Sequence, residues 1–288
     1  MCGIAGLLNL NGEIISPLVL KSMGDSIKHR GPDGEGQWID KNFGVCHRRL
    51  SIIDLTKAGK QPMFSEDKRW VISYNGEIYN FKSIRAELQS LNYEFTSKCD
   101  TEVFLKALIH WGKDALLKFN GMFAFALWDN KKKELLLGRD RYGIKPLYFS
   151  LQNNIFSFGS EQKAITAQNY FKKKVDKEAL YEYLTFQNIF TRKTLFKDVN
   201  LVPAGHFLTI TSEKNAIPKL FQYWDYKFKE NKDNTSKEEY IEELDRLFVQ
   251  AVNRQLVSDV EMGAYLSGGL DSGSITAVAS KVFQNIKT

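Results

Sequence analysis

The chain opens MCGIAGLLNL (residues 1–10): a cysteine directly behind the initiator methionine, then an apolar run suited to a buried strand. A small second residue favours removal of Met1, which would leave Cys2 with a free α-amino group. The reference pKa of such an amine is about 7.7–8.0, so near neutral pH part of it can take the thiol proton. Nucleophile and base would then reside in one residue. A small hydrophobe at the start of a strand fits the position equally well, and only the rest of the sequence separates the two readings.

Outward from Cys2, further strands are expected at Ile4–Leu10, Phe43–His47, Trp70–Tyr74, Met122–Trp128, Glu134–Arg139 and Ile155–Gly159. Their alternation is incomplete, which suits sheets buried on both faces. Asp129 to Lys132 is a polar turn that would join two of them into a hairpin. Helices are expected over Phe81–Leu91 and over Thr101–Phe119, the latter with apolar Val103, Leu105, Leu108 and Leu116. Asp100 stands just ahead of the second helix, where its carboxylate could cap free N–H groups. From Ile217 to Ser236 the composition turns polar and aromatic, including KFKENKDNTSK (residues 227–237), and reads as an interdomain connection. Ser236 and Glu239 then fit a capping box ahead of Tyr240, Ile241, Leu244, Leu247, Phe248, Ala251 and Val252 at helical spacing. A strand over Val260–Leu266 would run through a glycine turn into a helix over Ser274–Phe283, the opening of an α/β unit.

At 288 residues, 43% hydrophobic and 26% charged, the chain can form two domains with proper cores. The net charge of +6 does not mark a nucleic-acid partner, because the basic residues are scattered. Even Lys131–Lys133 and Lys172–Lys174 sit in short polar turns. No apolar run approaches the ~20 residues a bilayer requires, so no membrane association is expected. The start lacks a basic leader and does not read as a signal peptide. Three cysteines, an odd number, suit reduced thiols in the cytoplasm. Cys46 and His47 are adjacent on a strand and should point to opposite faces, Cys99 has no histidine at helical spacing, and no zinc spacing occurs. His29 and His47 read as structural.

MCGIAG is followed, in order, by HRGPDG (His29–Gly34), HRRLSIID (His47–Asp54), YNGEIYN (Tyr74–Asn80), GMFAFALWD (Gly121–Asp129) and GRDRYGIKPLY (Gly138–Tyr148). Over roughly residues 2 to 210 this set resembles the glutaminase domain of class II, N-terminal-nucleophile amidotransferases. The resemblance implies that Cys2 attacks glutamine and that Asn75 and Gly76 form the oxyanion hole. Arg49 would hold the α-carboxylate of glutamine, and Glu77 and Asp100 its α-ammonium group. Leu50, Ser51, Ile52 and Ile53 would line the pocket through their backbone. Each side chain also has a plain reading: a surface ion pair for Arg49, a turn for Asn75-Gly76, a helix cap for Asp100.

LSGGLDS (Leu266–Ser272) lies between the expected strand and helix. Glycines there let the backbone approach phosphate, and the N–H groups of a helix start favour an anion. It lacks the lysine of a Walker loop. The pattern resembles the loop of ATP pyrophosphatases, which implies ATP contacts from Leu266, Ser267, Gly268, Gly269, Asp271 and Ser272, with Asp271 a candidate for magnesium. Together with QNIFTRKTLFKDVNLVPAGHFL (Gln187–Leu208), the whole arrangement resembles the glutamine-hydrolysing asparagine synthetase family. That implies ammonia delivered to an aspartyl-AMP, with glutamine, aspartate and ATP with Mg2+ as partners and no tightly bound cofactor. A homo-oligomer is compatible with it. The fold so implied is α+β then α/β: an αββα sandwich of two antiparallel sheets over residues 2–210, a linker over 211–235, and over 236–288 the truncated start of a parallel-sheet domain. Members of that family continue well past the loop, so the chain as given reads as a fragment or a truncated product, and asparagine synthesis by it alone is not expected. Three other functions stay open. One is amide transfer to another carboxylate, such as a sugar uronate of a surface polysaccharide. Another is an autonomous glutaminase. The last is a tRNA-modifying relative of the loop, which the N-terminal cysteine and the absence of a basic stripe oppose.

Overall fold

A computed structural model describes residues 2–228, 235–283 and 286–288. The chain divides into two units, one running to Ser51 and resuming over Thr56–Asp225, the other taking Ile52–Leu55 with the residues from Tyr226 onward.

The first unit holds two six-stranded sheets. One contains β1 (Gly3–Asn9), β2 (Gly34–Asp40), β3 (Phe43–Arg49), β8 (Tyr148–Gln152), β9 (Ile155–Gly159) and β10 (Val199–Leu201), in the order β10-β8-β9-β1-β3-β2. The other contains β4 (Met63–Phe64), β5 (Trp70–Ile78), β6 (Gly121–Asp129), β7 (Glu134–Arg139), β11 (His206–Thr211) and β12 (Lys219–Gln222), in the order β12-β11-β7-β6-β5-β4. Neighbouring strands in both sheets are antiparallel.

The period of two sorts the side chains into layers. Ile4, Leu8, Phe43 and Val45 of the first sheet meet Val71, Ala124, Ala126, Trp128, Leu135 and Leu137 of the second in one buried cluster, where Phe43 stacks on Trp128 at 4.3 Å. The alternate residues Ala5, Leu7 and Cys46 turn outward onto α1 (Pro17–Ser26) and α5 (Gln162–Thr166). Beyond the second sheet, Phe104 of α3 (Asp100–Trp111) packs against Tyr74, Phe123 and Phe125, with α2 (Phe81–Ser90) beside α3. This is the αββα sandwich that the sequence implied. Helices covering both outer faces explain why the strands lack a polar side.

Several boundaries differ from expectation. The helix expected over Thr101–Phe119 breaks at Gly112, whose φ of +59° ends α3. A 3-10 turn and then α4 (Ala115–Lys118) follow. The hairpin turn after β6 is present, with the Asp129 carboxylate accepting from Lys131 N and Lys132 N and gripped by both arms of Arg69 at 2.9 and 2.7 Å. The first unit outlasts residue 210: β12 pairs with β11, and Leu220 packs on the central cluster. The linker assigned to 211–235 therefore begins inside the sheet, and its residues 229–234 lie outside the described residues.

In the second unit, α7 (Lys237–Gln255) carries the expected capping box between Ser236 and Glu239. The strand expected over Val260–Leu266 is reduced, among the described residues, to one parallel bridge between Gly263 and Lys287. α8 (Leu270–Val282) begins ahead of Ser274, so Asp271 and Ser272 belong to its first turn.

Candidate active site

Cys2 precedes β1 where that strand runs beside the end of β3, with Gly3 opposite Arg48. The ladder places Leu50 over the thiol. Leu50 N donates to Cys2 Sγ at 3.3 Å, and Sγ lies 3.5 Å from Leu50 O. Arg30 Nε donates to the Cys2 carbonyl at 2.9 Å, and Arg30 is itself paired with Glu161 at 3.1 Å. Glu161 also receives His29 at 2.8 Å and Lys163 at 3.0 Å, which accounts for His29 in structural terms. Burial pushes the Cys2 thiol up. The Leu50 amide and Arg49 oppose that rise, while Asp100 adds to it.

Strand β5 supplies the next group. Ser73, Asn75 and Glu77 lie on one face by alternation, and Ser73 Oγ reaches His47 Nδ1 (3.1 Å) and Cys46 O (3.4 Å) across the sandwich. That face therefore looks toward the sheet that carries Cys2. Asn75 is 1% exposed, yet its Nδ2 has no hydrogen-bond partner, and neither has the buried Oε1 of Glu77. Buried polar atoms are rarely left so, and two on one strand face mark where a ligand's polar groups belong. Gly76 between them is required by packing: a Cβ there would stand 2.5 Å from Met122 O and 2.6 Å from Phe123 Cβ.

Asp100 is the first residue of α3, and Cys99 holds the N-cap position. The carboxylate reaches across to β5, where Asp100 Oδ2 accepts from Tyr74 OH at 3.0 Å and from Ile78 N at 3.1 Å. Burial raises Asp100 to about 6, against the pull of those donors and of the amides of Asp100 and Thr101. Glu77 rises to about 7, through burial first and the Asp100 charge second. Lys145 opposes that rise. Lys145 is itself 5% exposed, and burial lowers its pKa.

Leu50 thus contacts the Cys2 thiol, the charges of Arg49 and Asp100 act on that thiol and the charge of Asp100 acts on Glu77, which shares its strand with Asn75 and Gly76. Arg49 Nη1 donates to Thr56 O at 2.9 Å, and Ser51 N donates to Asp33 Oδ2 at 2.8 Å. Ile52 and Ile53 belong to the second unit. Sequence reasoning left Arg30 and Lys145 unassigned, although both stand inside motifs it singled out. Cys46 and His47 face opposite ways, as expected. Burial pushes Cys46 up to about 12 and His47 down to about 3, so neither is poised for chemistry.

The second unit holds the glycine loop. Ser267 Oγ accepts from Gly269 N at 3.4 Å and lies 3.0 Å from Ser272 Oγ, which also accepts from Ser267 N at 3.3 Å. The two serines tie the loop closed, with Gly268 at φ +82° between them and Leu266 and Asp271 exposed. No side chain caps α8. Among the described residues no group of three or more His, Cys, Asp or Glu could hold a metal, and no helix is long and apolar enough to cross a membrane.

Comparison with known proteins agrees with the fold of the first unit. The solved glutamine phosphoribosylpyrophosphate amidotransferase of Bacillus subtilis matches with a TM-score of 0.58 at 17% identity, over 77% of this chain and 49% of that one, a likeness of fold. A glutamine-hydrolysing asparagine synthetase of Bacillus subtilis is 36% identical over 99% of this chain and 46% of its own length. A protein of Gibberella zeae named as an amidase is 32% identical over 99% of this chain and 43% of its own. The chain spans less than half the length of these two relatives. The asparagine synthase family model matches residues 243–288, and the glutamine amidotransferase domain model matches residues 1–224. With most of its length covered by that second model, the chain belongs to the glutamine amidotransferase domain family.

Proposed function

We propose that the first unit hydrolyses glutamine through Cys2 and that the ammonia amidates an ATP-activated aspartate. The carrying observation is the partnerless pair Asn75 Nδ2 and Glu77 Oε1, on the strand face turned toward the sheet of the clamped thiol. With Met1 removed, the α-amine of Cys2 takes the thiol proton and the sulfur attacks the side-chain amide carbon. The oxyanion that forms is held by Asn75 Nδ2 and the Gly76 N–H, each donor contributing on the order of 10²–10³ in rate. The protonated α-amine then gives its proton to the leaving nitrogen. Ammonia departs, a glutamyl thioester remains, and water cleaves it to glutamate. Arg49 pairs with the substrate α-carboxylate through its planar fork. Glu77 and Asp100 receive the α-ammonium, and Leu50 and Ser51 line the pocket.

For the second half, the serine-tied loop and uncapped start of α8 suit the phosphates of ATP, contacted by Leu266, Ser267, Gly268, Gly269 and Ser272. Asp271 would hold the magnesium of that nucleotide as one carboxylate beside the phosphates, and the metal would shield their charge. Attack of the aspartate carboxylate releases pyrophosphate and forms aspartyl-AMP, from which ammonia displaces AMP to give asparagine. The similarity to an asparagine synthetase supports aspartate as acceptor. The relative named as an amidase supports a second acceptor of the same chemistry, another carboxylate such as a sugar uronate. The three cysteines, all free thiols, suit the cytoplasm.

The test is glutamate release by the wild type and by Cys2→Ala. Substitution should abolish it, and retention of Met1, read by mass spectrometry, should do the same by acylating the base. Near-normal release from Cys2→Ala would sink the mechanism.

A further inference from the structure

Lys145 is a buried charge to which the proposed chemistry gives no task. It is 5% exposed, and among the described residues its ammonium has no hydrogen bond or ion pair with a protein group. Its backbone is nevertheless fixed on both sides. Lys145 N donates to Asp140 Oδ2 at 3.0 Å, and Lys145 O accepts from Arg139 Nε at 2.8 Å. The same Asp140 carboxylate accepts from Phe123 N at 3.1 Å, and Phe123 stands opposite Gly76 in the ladder between β5 and β6. One carboxylate therefore ties the lysine backbone to the strand position beside Glu77. A fixed backbone, a lysine only 5% exposed and a buried Glu77 Oε1 that lacks a partner are three observations at one place.

Charge counting gives them a purpose. Glu77 is faced by Asp100 from α3 and by Lys145 from the segment after β7, with Tyr74 and Tyr79 nearby on its own stretch of chain. Lys145 also feels Arg30, Cys2 and Asp140. Two buried carboxylates side by side cannot both stay ionised without a cation. We infer that Lys145 is a positioning residue of the glutamine site: its ammonium keeps Glu77 charged beside Asp100, so that the pair can take the substrate α-ammonium. Two carboxylates and one lysine leave one net negative charge, which the substrate ammonium neutralises. This inference rests on the glutaminase reading above.

Glutamine binding should be measured by calorimetry from pH 6 to 9 on the full chain carrying Cys2→Ala, which can bind without reacting. Glu77 rises to about 7 when free, so it is protonated below that pH and binding should strengthen as pH rises through it. Adding Lys145→Met should move that midpoint up by roughly one pH unit or more, weakening binding about fivefold at pH 7 and little at pH 9. Lys145→Arg should keep the original midpoint. An unchanged midpoint in Lys145→Met, or an equal loss at every pH, overturns the inference. Should Lys145→Met fail to melt cooperatively, the coupling can be read from the other side by an NMR titration of the Lys145 ammonium. Glu77→Gln should lower its midpoint, and a midpoint that stays put overturns the inference equally. Absence of glutamine binding at any pH, with no glutamate release by the wild type, brings down the functional reading itself and this inference with it.

Discussion

Asp100→Asn separates a structural role of this residue from a substrate-binding one, and the structure sets the size of both effects. Asp100 is 5% exposed and its carboxyl rises from 3.8 to about 6 in the folded chain. A group whose folded pKa is raised stabilises the protein fully below its unfolded pKa and loses that contribution as pH climbs through the folded value. The window here runs from about pH 4 to about pH 6. At pH 8 the ionised carboxylate therefore costs about 3 kcal/mol relative to a neutral group, at 1.36 kcal/mol per unit. Asparagine imitates the neutral form, and its single oxygen can still accept from both Tyr74 OH and Ile78 N, because both donors use one oxygen of Asp100. Its NH2 would face the amides of the helix start, so a net gain of about 1–2 kcal/mol is the better expectation. For a unit of this size that is roughly 3–6 °C in melting temperature at pH 8, and close to nothing at pH 4. Glutamine should bind worse, since losing one charged hydrogen bond costs about 1.5–3 kcal/mol, a rise in KM of roughly ten- to a hundredfold. The assays are a thermal melt at both pH values and glutamate release at pH 8. A lower melting temperature at pH 8 with an unchanged KM would refute the reasoning and return Asp100 to structural duty.

Asn75→Ala should lower kcat for glutamate release by about 10²–10³ with a smaller change in KM, because the lost donor acts only once negative charge develops. A KM effect without a kcat effect would place the amide in ground-state binding. Arg49→Lys should raise the KM for glutamine while leaving kcat within about threefold, since one ammonium replaces a bidentate fork. Unchanged steady-state kinetics would assign Arg49 to structural contacts such as that with Thr56 O.

Much of the sandwich was legible because its inner strands are apolar on both faces, which leaves an uninterrupted signal in Ile4–Leu10 or Met122–Trp128. The strands that escaped had weak signals for physical reasons. β2 (GEGQWID) is an edge strand with glycines and charges, and β12 carries only Leu220 into the core. β8 was findable. Asn153 and Asn154 both take positive φ between Gln152 and Ile155, the two-residue hairpin that asparagine tolerates. The break at Gly112 was equally visible in the sequence but was outweighed by the apolar spacing on either side. The candidate site was expected from motifs, and of its residues Arg49, Asn75, Gly76 and Glu77 sit on strands whose register the core fixes. Lys145 was not, since a lysine in a loop looks solvated until the fold buries it.

That burial ties the site's parts together. Asp100 and Glu77 are pushed up and Lys145 is pushed down, each chiefly by desolvation, so these three groups around the proposed ammonium pocket are driven toward their neutral forms. Such a cluster is poorly satisfied when alone, and orphaned Asn75 Nδ2 and Glu77 Oε1 are the visible sign of it. On the proposed reading, the missing partner is a zwitterion. Its ammonium restores the balance among Asp100, Glu77 and Lys145, and its carboxylate engages Arg49. Its amide carbon would then lie against a thiol whose position was set by the Leu50 backbone before any substrate arrived. A neutral amide of the same shape could satisfy the Asn75 donor but would leave the carboxylates as strained as before. On that reading, selectivity for the free amino acid would follow from the same desolvation.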